Sequence, residues 1–121
     1  MSQENNTILI VDDLPENIDI LRAILSAYNS KVAINGKMAL KVAEKTLPDL
    51  ILLDIIMPDM NGFEVASILK KNDVTKNIPV IFVTAENEAQ NIAKEYNFEN
   101  EEFIHKPFEP ETVLAVIKKF F

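Results

Sequence analysis

At 121 residues the chain has room for one packed domain, read as residues 1–121, and it carries no cysteine, which excludes disulfides, thiolate catalysis and Cys-ligated zinc. A net charge of -7 argues against nucleic-acid binding, which needs clustered Lys and Arg, and the aromatics do not interleave with the basic residues. No apolar stretch approaches the ~20 residues that span a bilayer, and residues 1–6 lack a signal pattern, so a soluble cytoplasmic protein with no membrane partner is expected.

In chain order, residues 7–12 read as a strand ending on Asp12-Asp13. Residues 15–28 read as a helix: Pro15 suits the first turn, and Ile18, Leu21, Ile24, Leu25 and Tyr28 share one 3.6-period face. Residues 30–34 form a short, weak strand. Asn35-Gly36 signals a turn, and 37–46 is a helix with Met38, Ala39, Val42 and Ala43 facing inward. Residues 50–54 are a strand ending on Asp54. The Pro, Asn and Gly of 57–62 mark a loop, followed by a helix over 62–72 with Phe63, Val65, Ala66, Ile68 and Leu69 inside.

Pro79 opens a strand over 80–84 that ends on Thr84. Residues 86–96 make a helix with a thin apolar face. Residues 102–105 form a last strand leading into Lys106-Pro107. Glu109-Pro110-Glu111 opens the final helix, its acids near the positive end of the helix dipole, with Val113, Leu114, Val116, Ile117 and Phe120 inward.

Strands that are apolar at consecutive positions are covered on both faces, which predicts a parallel sheet with helices on each side. The repeated strand–helix order predicts a doubly wound α/β fold, and the flavodoxin-like order 2-1-3-4-5 is its compact five-stranded solution. In that order strands 1 and 3 are neighbours at the switch point, where ligands bind outside the strand C-termini. Asp12, Asp13 and Asp54 would gather there, with Thr84 and Lys106 on the same edge.

Clustered carboxylates repel, so they need a cation or a proton. All-oxygen donors suit Mg²⁺, and His105, the only imidazole, cannot build a histidine-based metal site. Metal plus Lys106 would neutralise a phosphoryl group in flight, Thr84 could donate a hydrogen bond to it, and a carboxylate oxygen would be the nucleophile, giving an acyl phosphate. Each residue taken alone has a plainer reading: Asp12-Asp13 as caps, Asp54 as a turn residue, Thr84 as strand filler, Lys106 as a surface lysine. Their shared position at strand ends favours the site. His105 is read as a structural or surface residue, and Met57 and Met60 as loop packing.

The text from Ile8 to Asp13, from Leu53 to Gly62, from Pro79 to Ala85 and Lys106-Pro107-Phe108 resembles the receiver domain of two-component response regulators, over roughly residues 6–120. The resemblance implies the 2-1-3-4-5 order and a phosphorelay role. Asp54 would accept a phosphoryl group from a phosphohistidine of a sensor histidine kinase or phosphotransfer protein. Asp13, Asp54 and the backbone carbonyl of Ile56 would ligate Mg²⁺, with Asp12 acting through water. Thr84 would be the switch hydroxyl, Phe103 the switch aromatic, Lys106 a phosphoryl contact, and Pro107 a cis proline.

Output would use the face of the fourth helix, fifth strand and fifth helix, roughly residues 86–121, toward a downstream protein or a phosphorylation-dependent homodimer. Glu99-Asn100 replace the family's frequent Gly-Ala, Phe103 lacks the hydroxyl of the commoner Tyr, and Ser30 weakens strand 2. Ile56 and Glu86 occupy positions that tune phosphoryl lifetime in the family. The resemblance implies a phosphoacceptor and not a turnover enzyme. A haloacid-dehalogenase-type phosphatase is the enzymatic alternative; it needs an acid at position 56, where Ile stands. The sequence Asp13-Leu14-Pro15-Glu16-Asn17 also recurs in receivers joined to hybrid kinases and second-messenger enzymes.

Overall fold

The apolar runs of the sequence become the strands of a single parallel sheet in the computed structural model, which describes residues 6–85, 94–96 and 102–121. In chain order these residues form β1 (Thr7–Val11), α1 (Pro15–Ile24), β2 (Asn29–Ala33), α2 (Gly36–Thr46), β3 (Leu50–Asp54), α3 (Gly62–Lys71), β4 (Val80–Thr84), β5 (Glu102–His105) and α4 (Pro110–Lys118). The sheet order is β2-β1-β3-β4-β5, every neighbouring pair parallel, as the run pattern and the resemblance both imply. The helix expected over 86–96 lies outside the described residues except at 94–96, as do Glu86 and Glu99-Asn100.

Strand pleating divides the core in two. Leu9, Val11, Ile51, Leu53, Val80 and Phe82 point to one side, where α2 and α3 supply Ala39, Ala43, Phe63, Val65, Ala66 and Leu69. Ile8, Ile10, Leu50, Leu52, Ile81 and Val83 point to the other, where α1 and α4 supply Ile18, Leu21, Val113 and Ile117. β3 and β4 are buried at every position, whereas the edge strand β2 alternates. Ser30, opposite Ile8, is half-buried on the same face as Val32, which packs on the α1 and α4 side of the core, so a hydroxyl stands there in place of apolar cover.

The helix starts follow their local chemistry. Asn35 caps α2 by accepting from Met38 N at 2.8 Å. Asn61 and Glu64 form a capping box at α3, with Glu64 N donating to Asn61 Oδ1 at 2.9 Å and Asn61 N donating to Glu64 Oε1 at 3.2 Å. Pro15 and Pro110 open α1 and α4.

Three expectations are corrected. α1 ends at Ile24, short of residue 28, because the chain turns through Leu25 to bring Asn29 N against Asn6 O at 2.9 Å and begin β2; Tyr28 remains buried. Met38 is 39% exposed: at about 100° per residue it falls away from the inner stripe of Gly36, Ala39 and Ala43. Ile68 is 44% exposed for the same reason relative to Phe63, Ala66 and Leu69. Among the described residues, no helix is long and apolar enough to cross a membrane.

Candidate functional site

Sheet register brings the strand tips together. Val11 lies opposite Leu53, so the next residues, Asp12 and Asp54, sit side by side at the carboxyl edge. Asp54 lies opposite Val83, which puts Thr84 one step further along the adjacent strand. Thr84 lies opposite His105, and Lys106 N donates to Thr84 O at 2.9 Å, clipping the chain after β5 to the tip of β4. Asp12, Asp13 and Asp54 each offer a carboxylate oxygen within 4.8 Å of the others. The remote acids of the sequence thus form one cluster.

Within it the acids differ. Asp12 and Asp54 are buried, and Asp13 is half-buried. Asp12 Oδ1 accepts from Leu14 N at 2.9 Å, a local turn bond. The bond turns the backbone ahead of α1 and does not cap the helix, whose N-cap is Leu14 with no side-chain cap, so the capping reading of Asp12-Asp13 does not hold. The other Asp12 oxygen, Oδ2, is buried with no hydrogen-bond partner and lies 3.5 Å from Lys106 Nζ. The Lys106 ammonium is also 3.5 Å from Asp54 Oδ1. One cation thus faces two buried carboxylates. Burial, then the negative charge of Asp12, pushes the Asp54 carboxyl up from 3.8 to about 6, even though Lys106 pulls it the other way.

The donor set fits a hard divalent cation. It is all carboxylate oxygen, it carries more negative charge than Lys106 balances, and one buried oxygen lacks a hydrogen bond. Ile56, whose backbone carbonyl was the further expected ligand, follows two residues after Asp54, and its side chain is 57% exposed at the rim. Thr84 is fully buried. Phe103 is half-buried, its ring 5.6 Å from that of Phe82. The Lys106–Pro107 peptide is cis. His105 is exposed and lines, with Phe103, Lys106, Pro107, Glu109 and Thr112, a cleft of about 350 Å³ that does not include Asp12, Asp13 or Asp54.

Gly62 is the residue whose part the sequence reading missed. The sequence marks it as a loop signal and helix start, without showing that α3 begins against the backbone of the acid-bearing strand. Gly62 N donates to Ile55 O at 2.8 Å, and a Cβ there would sit 2.4 Å from Asp54 O and 2.9 Å from Ile55 Cα. The available signal was a glycine with helix-cap chemistry beside it, Asn61 and Glu64, a short loop after Asp54.

A sequence profile described as "Response regulator receiver domain" matches residues 8–118. The chain is 39% identical over 102 residues, 84% of its length, to a protein named "Probable cyclic di-GMP phosphodiesterase" of Vibrio cholerae serotype O1, of which it covers 23%. The chemotaxis protein CheY4 of Vibrio cholerae has a similar structure: TM-score 0.86, 28% identity, 97% of this chain and 99% of that one covered. The receiver domain of sensor histidine kinase PA1611 from Pseudomonas aeruginosa PAO1 shares the fold at TM-score 0.84 and 24% identity, with 96% of this chain and 97% of that one covered; its structure has a magnesium ion coordinated in the active site cleft. The chain spans less than a quarter of the length of the first curated relatives it matches.

Proposed function

We propose that this chain, which belongs to the response regulator receiver domain family of two-component signalling, accepts a phosphoryl group on Asp54 and acts as a Mg²⁺-dependent switch. The observation that carries the reading is the grouping of Asp12, Asp13 and Asp54 with the Lys106 ammonium 3.5 Å from Asp54 Oδ1. The donor is a phosphohistidine of a sensor histidine kinase or phosphotransfer protein. An Asp54 carboxylate oxygen attacks phosphorus, the P–N bond breaks, and its electron pair stays on the donor imidazole. Asp54 must be ionised for this, and with its carboxyl near 6 the anion prevails at neutral pH.

Asp13, Asp54 and the Ile56 carbonyl would hold Mg²⁺, with Asp12 acting through water. The cation supplies charge neutralisation at the transferring oxygens. Lys106 contacts a phosphoryl oxygen, and Thr84 turns its hydroxyl toward the new group. Phe103 follows, altering the face of β5 and α4 that meets a downstream protein or a second copy. The domain is a phosphoacceptor and no turnover enzyme: Ile56 offers no acid–base group to release a substrate alcohol.

Intact-mass analysis with a small-molecule phosphoryl donor tests the reading. One phosphoryl group is expected in the presence of Mg²⁺, little after chelation, and none in Asp54→Asn. Labelling of Asp54→Asn at the wild-type level would place the acceptor elsewhere.

A further inference from the structure

At the β2 edge of the sheet, remote from β5, the outward face of α2 carries a charge opposite to that of the molecule. Lys37, Lys41 and Lys45 recur every fourth residue and therefore form one row, roughly 6 Å between successive positions. All are exposed, and among the described residues none has an ion-pair partner. The helix has one acid, Glu44, and its carboxylate is turned aside to Asn72 Nδ2 at 3.4 Å, at the end of α3. Like charges at i,i+4 destabilise a helix, although Lys45 in the last turn gains from the negative end of the helix dipole. A basic row on a chain of net charge -7 also stands against its own surroundings.

Apolar surface accompanies the row. Met38 is 39% and Ile34 52% exposed at the start of α2. A cleft of about 280 Å³, lined by Asn35, Gly36, Lys37, Pro58, Asp59 and Met60, shares Lys37 with the row. Gly36 is what keeps it tight at the base: a Cβ there would stand 2.8 Å from Val65 Cγ2 and 3.0 Å from Met60 Sδ. Asp59, at φ 69°, turns the other wall, a conformation that Asp tolerates better than most residues.

We propose that the outer face of α2 is a docking surface for an acidic protein segment with an apolar anchor residue. The acids of the segment would lie along Lys37, Lys41 and Lys45, and its apolar side chain would pack on the exposed Ile34 and Met38. Charge complementarity selects an acidic partner, and the exposed Ile34 and Met38 select a peptide over a bare polyanion, which would leave them in water. The surface does not depend on phosphorylation of Asp54, and it leaves the β5 and α4 edge open.

The probe is a synthetic helical peptide of about 15 residues with Glu at every fourth position and one Leu beside that row, titrated into the ¹⁵N-labelled chain. Shifts are expected at residues 34–47 and 58–60. Affinity should fall about tenfold in K37E/K41E/K45E and measurably in Met38→Ala, should fall with added salt, and should be unchanged in Lys118→Glu and Asp54→Asn. Shifts spread over the surface, or equal affinity in the charge-reversed variant, would overturn the proposal. So would inorganic polyphosphate binding as tightly as the peptide, with Met38→Ala indifferent to both. Loss of binding in Asp54→Asn would overturn its independence from the acidic cluster.

Discussion

β3 and β5 both deliver a residue to the same crevice, and they do it under different constraints. β3 is buried at every position and flanked by strands on both sides, so Asp54 is set by the stiffest part of the sheet. β5 is an edge strand, half-buried at Glu102 and Phe103 and exposed at His105, and Lys106 follows it. On the function proposed above, the contrast would suit an acceptor that must be held and a responding region that must move. A rigid acid would keep the metal donors in place, and a less buried edge would take up a new arrangement at modest cost.

The largest expected effect breaks the rigid side. Gly62→Ala forces a methyl group against Asp54 O and Ile55 Cα, backbone atoms that cannot swing away. We expect a loss of about 3 kcal/mol in urea unfolding together with impaired labelling of Asp54, since the helix must retreat from the strand that carries the acid. A variant with wild-type stability and labelling would mean that α3 does not set the position of β3.

Second comes the electrostatic penalty at the tip of β3. The Asp54 carboxyl is held near 6 in the metal-free fold against 3.8 in an open chain, so the fold binds this proton more tightly than the unfolded state does. Through this group the fold gains stability as pH falls from above 6 toward 3.8, and loses it again as pH rises. Asp54→Asn removes the penalty. In chelator it should be more stable than wild type by about 2 kcal/mol at pH 7, after solvent screening at the mouth of the site is allowed for, with the difference gone near pH 4. Equal stability of the two proteins at pH 7 would contradict the burial argument.

The edge should prove more forgiving. Phe103→Leu gives up the ring contact to Phe82 and about 1 kcal/mol, while Mg²⁺ affinity stays the same. The response of backbone shifts around Thr84 to phosphorylation should shrink in this variant; an undiminished response would detach Phe103 from the switch. Lys106→Ala strips the shared ammonium from two buried carboxylates, so it should also destabilise the fold at pH 7. Its signature is a titration: without the ammonium, the Asp54 carboxyl should move further up, read by carboxyl-carbon NMR. Movement downward would show that Lys106 does not face Asp54 in solution.

Much of this architecture is legible in the residues themselves. Runs such as Leu50–Leu53 are apolar at consecutive positions because both faces are covered, and that one property yields a parallel sheet, hence the crevice, hence the meeting of Asp12 with Asp54. What escapes the eye is whatever depends on distances between separate segments. Nothing local to Gly62 announces that a carbonyl oxygen will lie where its Cβ would be. Asp12 dividing its oxygens between a turn and the crevice is likewise a tertiary fact. Met38 and Ile68 were placed inward because they are apolar, and surfaces contain many apolar residues.

Lys106 is tied at both of its ends: its amide to the carbonyl of Thr84, its ammonium to the acids at the tips of β1 and β3. Pulling on either tether is felt at the other. A charge added at Asp54 would tug one end of this residue, a displacement of the β4 tip would shift its opposite anchorage, and the two events would be coupled mechanically through a single side chain.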